Sequence, residues 1–136
     1  PGGAIGKAVT MRVSDIMRTG GDLAMVTPET PVKDTLLAMT KARCGSAIVA
    51  DADGKLLGIF TDGDFRRHIE NDISVLTRKI SEVMTRNPAR LKSGQLAVEI
   101  LKLVETRKID DIIVVDEDGR VAGMVDIQDL PGLKLM

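Results

Sequence analysis

Gly58-Ile59-Phe60-Thr61-Asp62-Gly63-Asp64 is the stretch of this 136-residue chain whose side chains are best spaced to do chemistry. Thr61 and Asp64 have the form of a capping box, in which the Thr hydroxyl accepts from the amide three residues on and so starts a helix. The start of a helix offers unbonded amides and the positive end of a dipole, which suit an anion. Thr61 can donate its hydroxyl to a phosphate oxygen, and Asp64, one turn later, can accept both hydroxyls of a ribose. Gly58, lacking Cβ, lets a ligand approach the backbone closely. The same residues also make an ordinary strand end and helix cap, and the two readings are compatible.

Other candidates carry less. Asp51-Ala52-Asp53-Gly54 lacks the further ligands and closing Glu of a calcium loop and reads as a hairpin turn. Gly2-Gly3-Ala4-Ile5-Gly6-Lys7 fails as a phosphate loop: Pro1 replaces the first Gly, Ala8 replaces the Ser or Thr, and no strand precedes it. His68 is the only histidine and reads as a solvated helix residue beside Arg66 and Arg67. Neither Cys44 nor any Ser has a His and acid arrangement in view, which argues against nucleophilic or zinc catalysis and against an enzyme in its own right.

The elements that must hold Thr61 and Asp64 occur twice. Residues 47–64 return as residues 112–129, with Ile48 and Ile113, Gly58 and Gly123, and Asp64 and Asp129 each 65 residues apart. Fixed-period similarity marks one supersecondary unit used twice, and two such units packed face to face would leave a pseudo-twofold cleft. Val13-Ser14-Asp15-Ile16-Met17 and Ile80-Ser81-Glu82-Val83-Met84 match as short amphipathic lead-in segments. A brief strand is expected near residues 24–27 and again near 89–92. Helices follow, with Val32, Leu36 and Met39 on one face of the first and Leu96, Ile100 and Leu103 on one face of the other. Two strands come next in each half, joined by Asp51–Gly54 or Asp116–Gly119, and a further helix starts near Thr61 or Asp126. The unit reads strand–helix–strand–strand–helix. Residues 70–79 are polar and aperiodic and read as a linker.

Composition narrows the class. A net charge of −1 gives no electrostatic footprint for nucleic acid, and Phe60 and Phe65, the only aromatics, make no stacking platform. No apolar run approaches the roughly 20 residues of a membrane span. A single Cys, Cys44, excludes an internal disulfide and suits a reducing cytoplasm. The start at Pro1-Gly2-Gly3, without Met, reads as a piece of a longer protein. A lone repeat of about 60 residues would be marginal, so the halves are expected to share a core.

The tandem unit ending Gly-x-x-Thr-x-x-Asp resembles a cystathionine-β-synthase-type (CBS) domain pair, or Bateman module, over residues 11–133. The wording of residues 58–67 resembles sugar-phosphate isomerases of the arabinose-5-phosphate isomerase family, in which a sugar isomerase (SIS) domain precedes the CBS pair. The resemblance implies an α+β fold with pseudo-twofold symmetry: residues 1–10 as the end of the preceding SIS domain and linker, 11–70 and 80–136 as the CBS repeats, and 71–79 as the linker. It implies a regulatory piece with no isomerase site and no required cofactor, attached to an enzyme of Kdo and lipopolysaccharide synthesis. Carried over by residue, one groove would use Ile59, Thr61 and Asp64 with Ala89, Arg90, Ile109 and Asp110. Its mate would use Met124, Asp126 and Asp129 with Ala24, Met25, Cys44, Gly45 and Ser46.

In the second repeat Asp126 replaces the Thr, so a carboxylate would repel phosphate there and the grooves should be unequal. Pro131-Gly132 cuts the last helix short, which would loosen that groove's wall. The implied ligand is a nucleotide or nucleotide-sugar, with CMP-Kdo as a feedback ligand answered by Arg66, Arg67 and Arg90, or an adenine nucleotide with its base between Ile59 and Ile109 and its polar edge toward Asp110. The other reading is a structural homodimerisation module with empty grooves, paired through the helices starting near Pro31, Asp62, Gly94 and Ile127.

Overall fold

The computed structural model describes residues 10–107 and 109–129. Its strands are set by two turns at the repeat spacing. Asp51 Oδ1 accepts from the amides of Asp53 and Lys55, both at 2.9 Å, and Asp116 Oδ1 accepts from Asp118 at 2.9 Å and Arg120 at 3.0 Å. Gly54 and Gly119 close these turns at φ 84° and 83°, a backbone region that glycine adopts at little cost. The turns join antiparallel strands, β2 (Ser46–Ala50) to β3 (Leu56–Thr61) and β6 (Asp111–Val115) to β7 (Val121–Asp126). Even the register shifts recur, at Val49/Ala50 and at Val114/Val115. The apolar run Ile112–Val115 is buried throughout, as a strand covered on both faces requires.

Parallel neighbours need a crossover helix, and each half supplies one. Strand β1 (Met25–Val26) runs parallel to β2 after passage through helix α1 (Val32–Ala42). Strand β5 (Arg90–Lys92) runs parallel to β6 after helix α3 (Val98–Arg107). Helix α1 buries Val32, Thr35 and Met39. Leu36, expected on that face, is only half-buried, while Thr35 is buried and donates its hydroxyl to the Pro31 carbonyl at 3.1 Å. In α3 Ile100 is the buried residue, and Leu96 lies ahead of the helical turns.

The chain divides into two compact units that are offset from the sequence repeat. One, the internal unit, is Gly20–Pro88; the other, the split unit, joins the chain up to Thr19 with the chain from Ala89 onward. The internal unit holds a four-stranded sheet in the order β1-β2-β3-β4, with β4 at Thr85–Arg86. Helix α2 (Asp62–Asn71) follows β3. The split unit holds a sheet in the order β5-β6-β7.

The offset comes from the lead-in segments, which are single 3₁₀ turns at Val13–Asp15 and Ile80–Glu82. Val13 donates to the Gln95 carbonyl at 2.8 Å and lies in the core cluster of Leu91, Ala97, Ile100, Ile112, Val114, Val125 and Ile127. Ile80 donates to the Thr30 carbonyl at 2.8 Å. Each lead-in therefore completes the sheet-and-helix layer of the repeat to which it does not belong.

The expected linker is also structured. Ile73–Thr77 forms a 3₁₀ turn capped by Asp72, whose carboxylate accepts from the Ser74 amide at 3.0 Å. Val75 in that turn is fully buried, in an apolar run, Ile73, Val75 and Leu76, too short to register as periodicity. The readings at residues 1–9 and at Pro131-Gly132 fall outside the described residues. The expected helix near Asp126 is represented among them by a 3₁₀ turn, Ile127–Asp129. No helix among the described residues is long and apolar enough to cross a membrane.

Candidate functional site

Thr61 ends β3 in extended conformation and caps α2 as expected. Its hydroxyl accepts from the Asp64 amide at 3.1 Å, and Asp64 Oδ2 accepts from the Thr61 amide at 3.0 Å. The hydroxyl proton stays available for an acceptor. Arg67 reaches back over the first turn to pair with Asp64 Oδ1, and a Cβ built on Gly63 would lie 3.4 Å from its guanidinium. The Asp64 carboxylate is thus engaged through both oxygens. Arg67 is 71% exposed and three residues away on the same helix, so that ion pair is worth little and yields readily to a better partner.

Anion binding at this helix start is narrower than the sequence suggested. The Asp62 amide is bonded to the Gly45 carbonyl at 3.0 Å and the Asp64 amide to Thr61. Of the first-turn amides, which have no intrahelical acceptor, Gly63 is left to face an anion. It would act with the Thr61 hydroxyl and the exposed Arg66 and Arg67 side chains.

The role expected for Gly58 is corrected. A Cβ there would stand 2.6 Å from the Met84 sulfur and 2.8 Å from the Thr85 carbonyl oxygen. The missing side chain makes room for the chain's own strand β4, which pairs Gly58 with Arg86 and Ile59 with Thr85, rather than for a ligand. Gly123 does the same in the split unit, where a Cβ would meet the Arg18 carbonyl oxygen at 2.5 Å and the Met17 sulfur at 2.7 Å.

That neighbour changes the chemistry of the second repeat. Arg18 forms a bridge with Met124, its amide donating to the Met124 carbonyl at 2.7 Å and its carbonyl accepting from the Met124 amide at 3.1 Å. Its guanidinium grips Asp129 by two bonds, Nε to Oδ2 at 2.6 Å and Nη2 to Oδ1 at 3.0 Å. Nη2 also lies 3.5 Å from Asp126 Oδ2. Asp126 meanwhile takes over capping, with Oδ1 accepting from the Gln128 amide at 2.8 Å. The expectation of bare carboxylate repulsion at Asp126 therefore overlooked the cation that offsets it. The signal was in the sequence: aligning Met17 with Met84 sets Arg18 opposite Thr85, so the Thr-to-Asp change at 126 accompanies a Thr-to-Arg change in the lead-in.

The hydrogen bonds from Arg18 hold the Asp129 carboxyl below its ordinary range. Between that lowered value and the usual one near 4, the unfolded chain binds a proton that the folded chain refuses, so stability rises with pH. The stabilisation is complete above about pH 4 and is lost as pH falls through the lowered value. Asp72, through the Ser74 hydroxyl, and Glu82, through the Lys79 amide, are shifted in the same direction. Subtracting the acid limb of an Arg18→Met urea-melt series from that of the parent isolates the Asp129 share, and superposable limbs would refute it.

The remaining expected residues are grouped by unit. Gly45 and Ser46 open β2 beside the cap, with Ser46 opposite Thr61 in the ladder. The Ala24 carbonyl accepts from Ile48 at 2.8 Å, Met25 is partly exposed in β1, and Ile59 is half-buried in β3. The Cys44 thiol is buried and donates to the Asp22 carbonyl at 3.0 Å. Ala89, Arg90, Ile109 and Asp110 fall in the split unit with Met124, Asp126 and Asp129. There the Asp110 carbonyl accepts from the Ile127 amide at 2.9 Å. Among the described residues no group of three or more His, Cys, Asp or Glu side chains could hold a metal ion; Asp51 and Asp116 commit a carboxylate oxygen to their own turns.

Comparison with known proteins agrees with this geometry. The CBS domain family matches residues 13–71 and 80–130. Arabinose 5-phosphate isomerase KdsD of Yersinia pestis is 39% identical over 130 residues, covering 96% of this chain and 39% of that protein. KdsD of Pseudomonas aeruginosa is 40% identical over 130 residues, covering 96% of this chain and 40% of that protein. The chain spans about two-fifths of the length of these curated relatives. Among solved structures, a CBS domain-containing protein of unknown function from Bacillus anthracis superposes with TM-score 0.81 at 22% identity, over 96% of each chain. The CBS domain pair of protein MJ0100, solved with 5′-methylthioadenosine and S-adenosyl-L-methionine, gives 0.79 at 22% identity over 91% of this chain and 95% of that one. CBSX2 in complex with AMP gives 0.76 at 23% identity over 91% and 96%. The repeated strand–helix–strand–strand order, the two Asp-Gly hairpins and the matched residues together establish that this chain belongs to the CBS domain family, as a tandem pair.

Proposed function

We propose that this CBS pair is the regulatory, ligand-sensing part of an arabinose 5-phosphate isomerase-type enzyme whose SIS domain lies in the longer protein, and that it carries no isomerase site of its own. It takes a nucleotide or nucleotide-sugar, either CMP-Kdo or an adenine nucleotide, and alters the activity of the catalytic domain without a required cofactor. The observation that carries this reading is the Thr61–Asp64 box. It offers a hydroxyl proton and the Gly63 amide to a phosphate, with the Arg67 guanidinium beside them and a carboxylate one turn away for ribose hydroxyls. The similarity to KdsD proteins supports the parent enzyme, and the bound ligands of CBSX2 and MJ0100 support the ligand class.

Calorimetric titration with AMP, ATP, CMP and CMP-Kdo tests it, with saturable heat from at least one expected. No heat from any of the four at millimolar ligand would favour an assembly module instead. Assembly has its own support: Leu37, on α1, is 68% exposed, an apolar side chain at a helix face expected to pair. A homodimer is expected by sedimentation, and a species of 14.6 kDa alone at high micromolar concentration would remove it.

A further inference from the structure

We propose that Arg18 is a built-in counterion that occupies the Asp126–Asp129 pair and bars nucleotide from the split unit, leaving one nucleotide site per chain, at Thr61–Asp64. The inference rests on the nucleotide reading above for the site that stays open, and it assigns that site's stoichiometry and the residue that sets it.

The two units hold the same backbone device with different charges. In the internal unit the residue paired with Ile59 is Thr85, and the cap residues are Thr61 and Asp64. In the split unit the residue paired with Met124 is Arg18, and the matching positions are Asp126 and Asp129. A ribose diol must be received by both oxygens of the aspartate. On Asp129 both are taken by a two-bond guanidinium clamp, the strong form of this interaction.

The comparison with Asp64 turns on how firmly each cation is held. Arg67 stands on the same helix as its partner and is 71% exposed, so little is lost when a ligand replaces it. Arg18 is fixed at its backbone by two bonds to Met124, and its side chain is only 23% exposed. A nucleotide entering here would have to expel it and would then meet two uncompensated carboxylates beside its own phosphate. Changing Asp126 alone to Thr does not open the site, because the clamp is on Asp129.

Titration calorimetry on the whole chain with AMP, ATP, CMP and CMP-Kdo, counting equivalents, tests this. The parent is expected to bind one equivalent, lost in Thr61→Val and untouched by Asp129→Ala. The double variant Arg18→Thr/Asp126→Thr, which gives the split unit the internal unit's side chains, is expected to bind two. If it does not fold by circular dichroism, Arg18→Gln/Asp126→Thr, which keeps the aliphatic stem and removes the second carboxylate, is expected to gain the second equivalent at lower affinity. A parent that binds two equivalents, one of them removed by Asp129→Ala, overturns the counterion role. So does a folded opened variant that still binds one. A parent that binds none while the opened variant binds one would sink the Thr61–Asp64 site and sustain the role of Arg18; silence from both would sink the two together.

Discussion

Thr61→Val is expected to weaken nucleotide binding by roughly ten- to more than a hundredfold. The lost hydroxyl donates to a charged phosphate oxygen, a bond worth about 1.5–3 kcal/mol, and each 1.4 kcal/mol is tenfold in affinity. Asp64→Ala is expected to do as much, because Asp64 is the carboxylate held against Thr61 by the reciprocal capping bonds and is the one placed to receive the ribose. Thr61 also accepts from the Asp64 amide, so Val costs about 1 kcal/mol of helix stability as well. Two controls separate the effects. Thr61→Ser keeps both the cap and the hydroxyl proton and should bind within a few-fold of the parent. A urea melt of Thr61→Val should show a folded protein at the titration temperature. Parent-like binding by folded Thr61→Val would mean that the hydroxyl contacts no ligand, and the site would have to be sought elsewhere.

Local chemistry was the legible part of the fold. Asp51 and Asp116 announce their turns because Asp-Gly has few other uses between apolar runs, and Thr61 announces its helix because its partner lies three residues away. What the sequence could not disclose was which core each lead-in enters. Val13 and Ile80 would satisfy the hydrophobic pattern in either repeat, and only the backbone bonds from Val13 to Gln95 and from Ile80 to Thr30 decide. The same crossing hid the chemistry of the second repeat. Asp126 looked like an uncompensated carboxylate while Arg18 stood 108 residues before it in sequence, and an ion pair at that separation leaves no local pattern. Gly58 misled for a related reason. A glycine beside a binding motif invites a ligand, yet a strand from later in the chain fills the space.

Gly123→Ala is expected to destabilise the chain by about 1–2 kcal/mol and to disturb more than packing. Alanine lowers the entropy of the unfolded chain, which alone would add roughly 0.4–1 kcal/mol of stability. Overpacking a tight contact costs about 1–3 kcal/mol, and overpacking wins here because of what the new methyl meets. The Met17 sulfur can swing aside, but the Arg18 carbonyl, 2.5 Å from the added Cβ, is fixed by its bond to the Met124 amide. Moving it moves the Arg18 backbone and with it the guanidinium on Asp129. Gly123→Ala should therefore also lose the part of the acid limb that Arg18 confers. Gly58→Ala makes the equivalent clash with Thr85, 2.8 Å from its Cβ, and should cost similar stability with the acid limb intact, since Thr85 carries no charge. Gly94, with nothing within 4 Å of an added Cβ, is the control, and alanine there should be neutral or slightly stabilising. Should Gly58→Ala and Gly123→Ala give acid limbs of the same shape, the Arg18 clamp contributes nothing to the pH dependence and its hold on Asp129 is weaker than the geometry indicates.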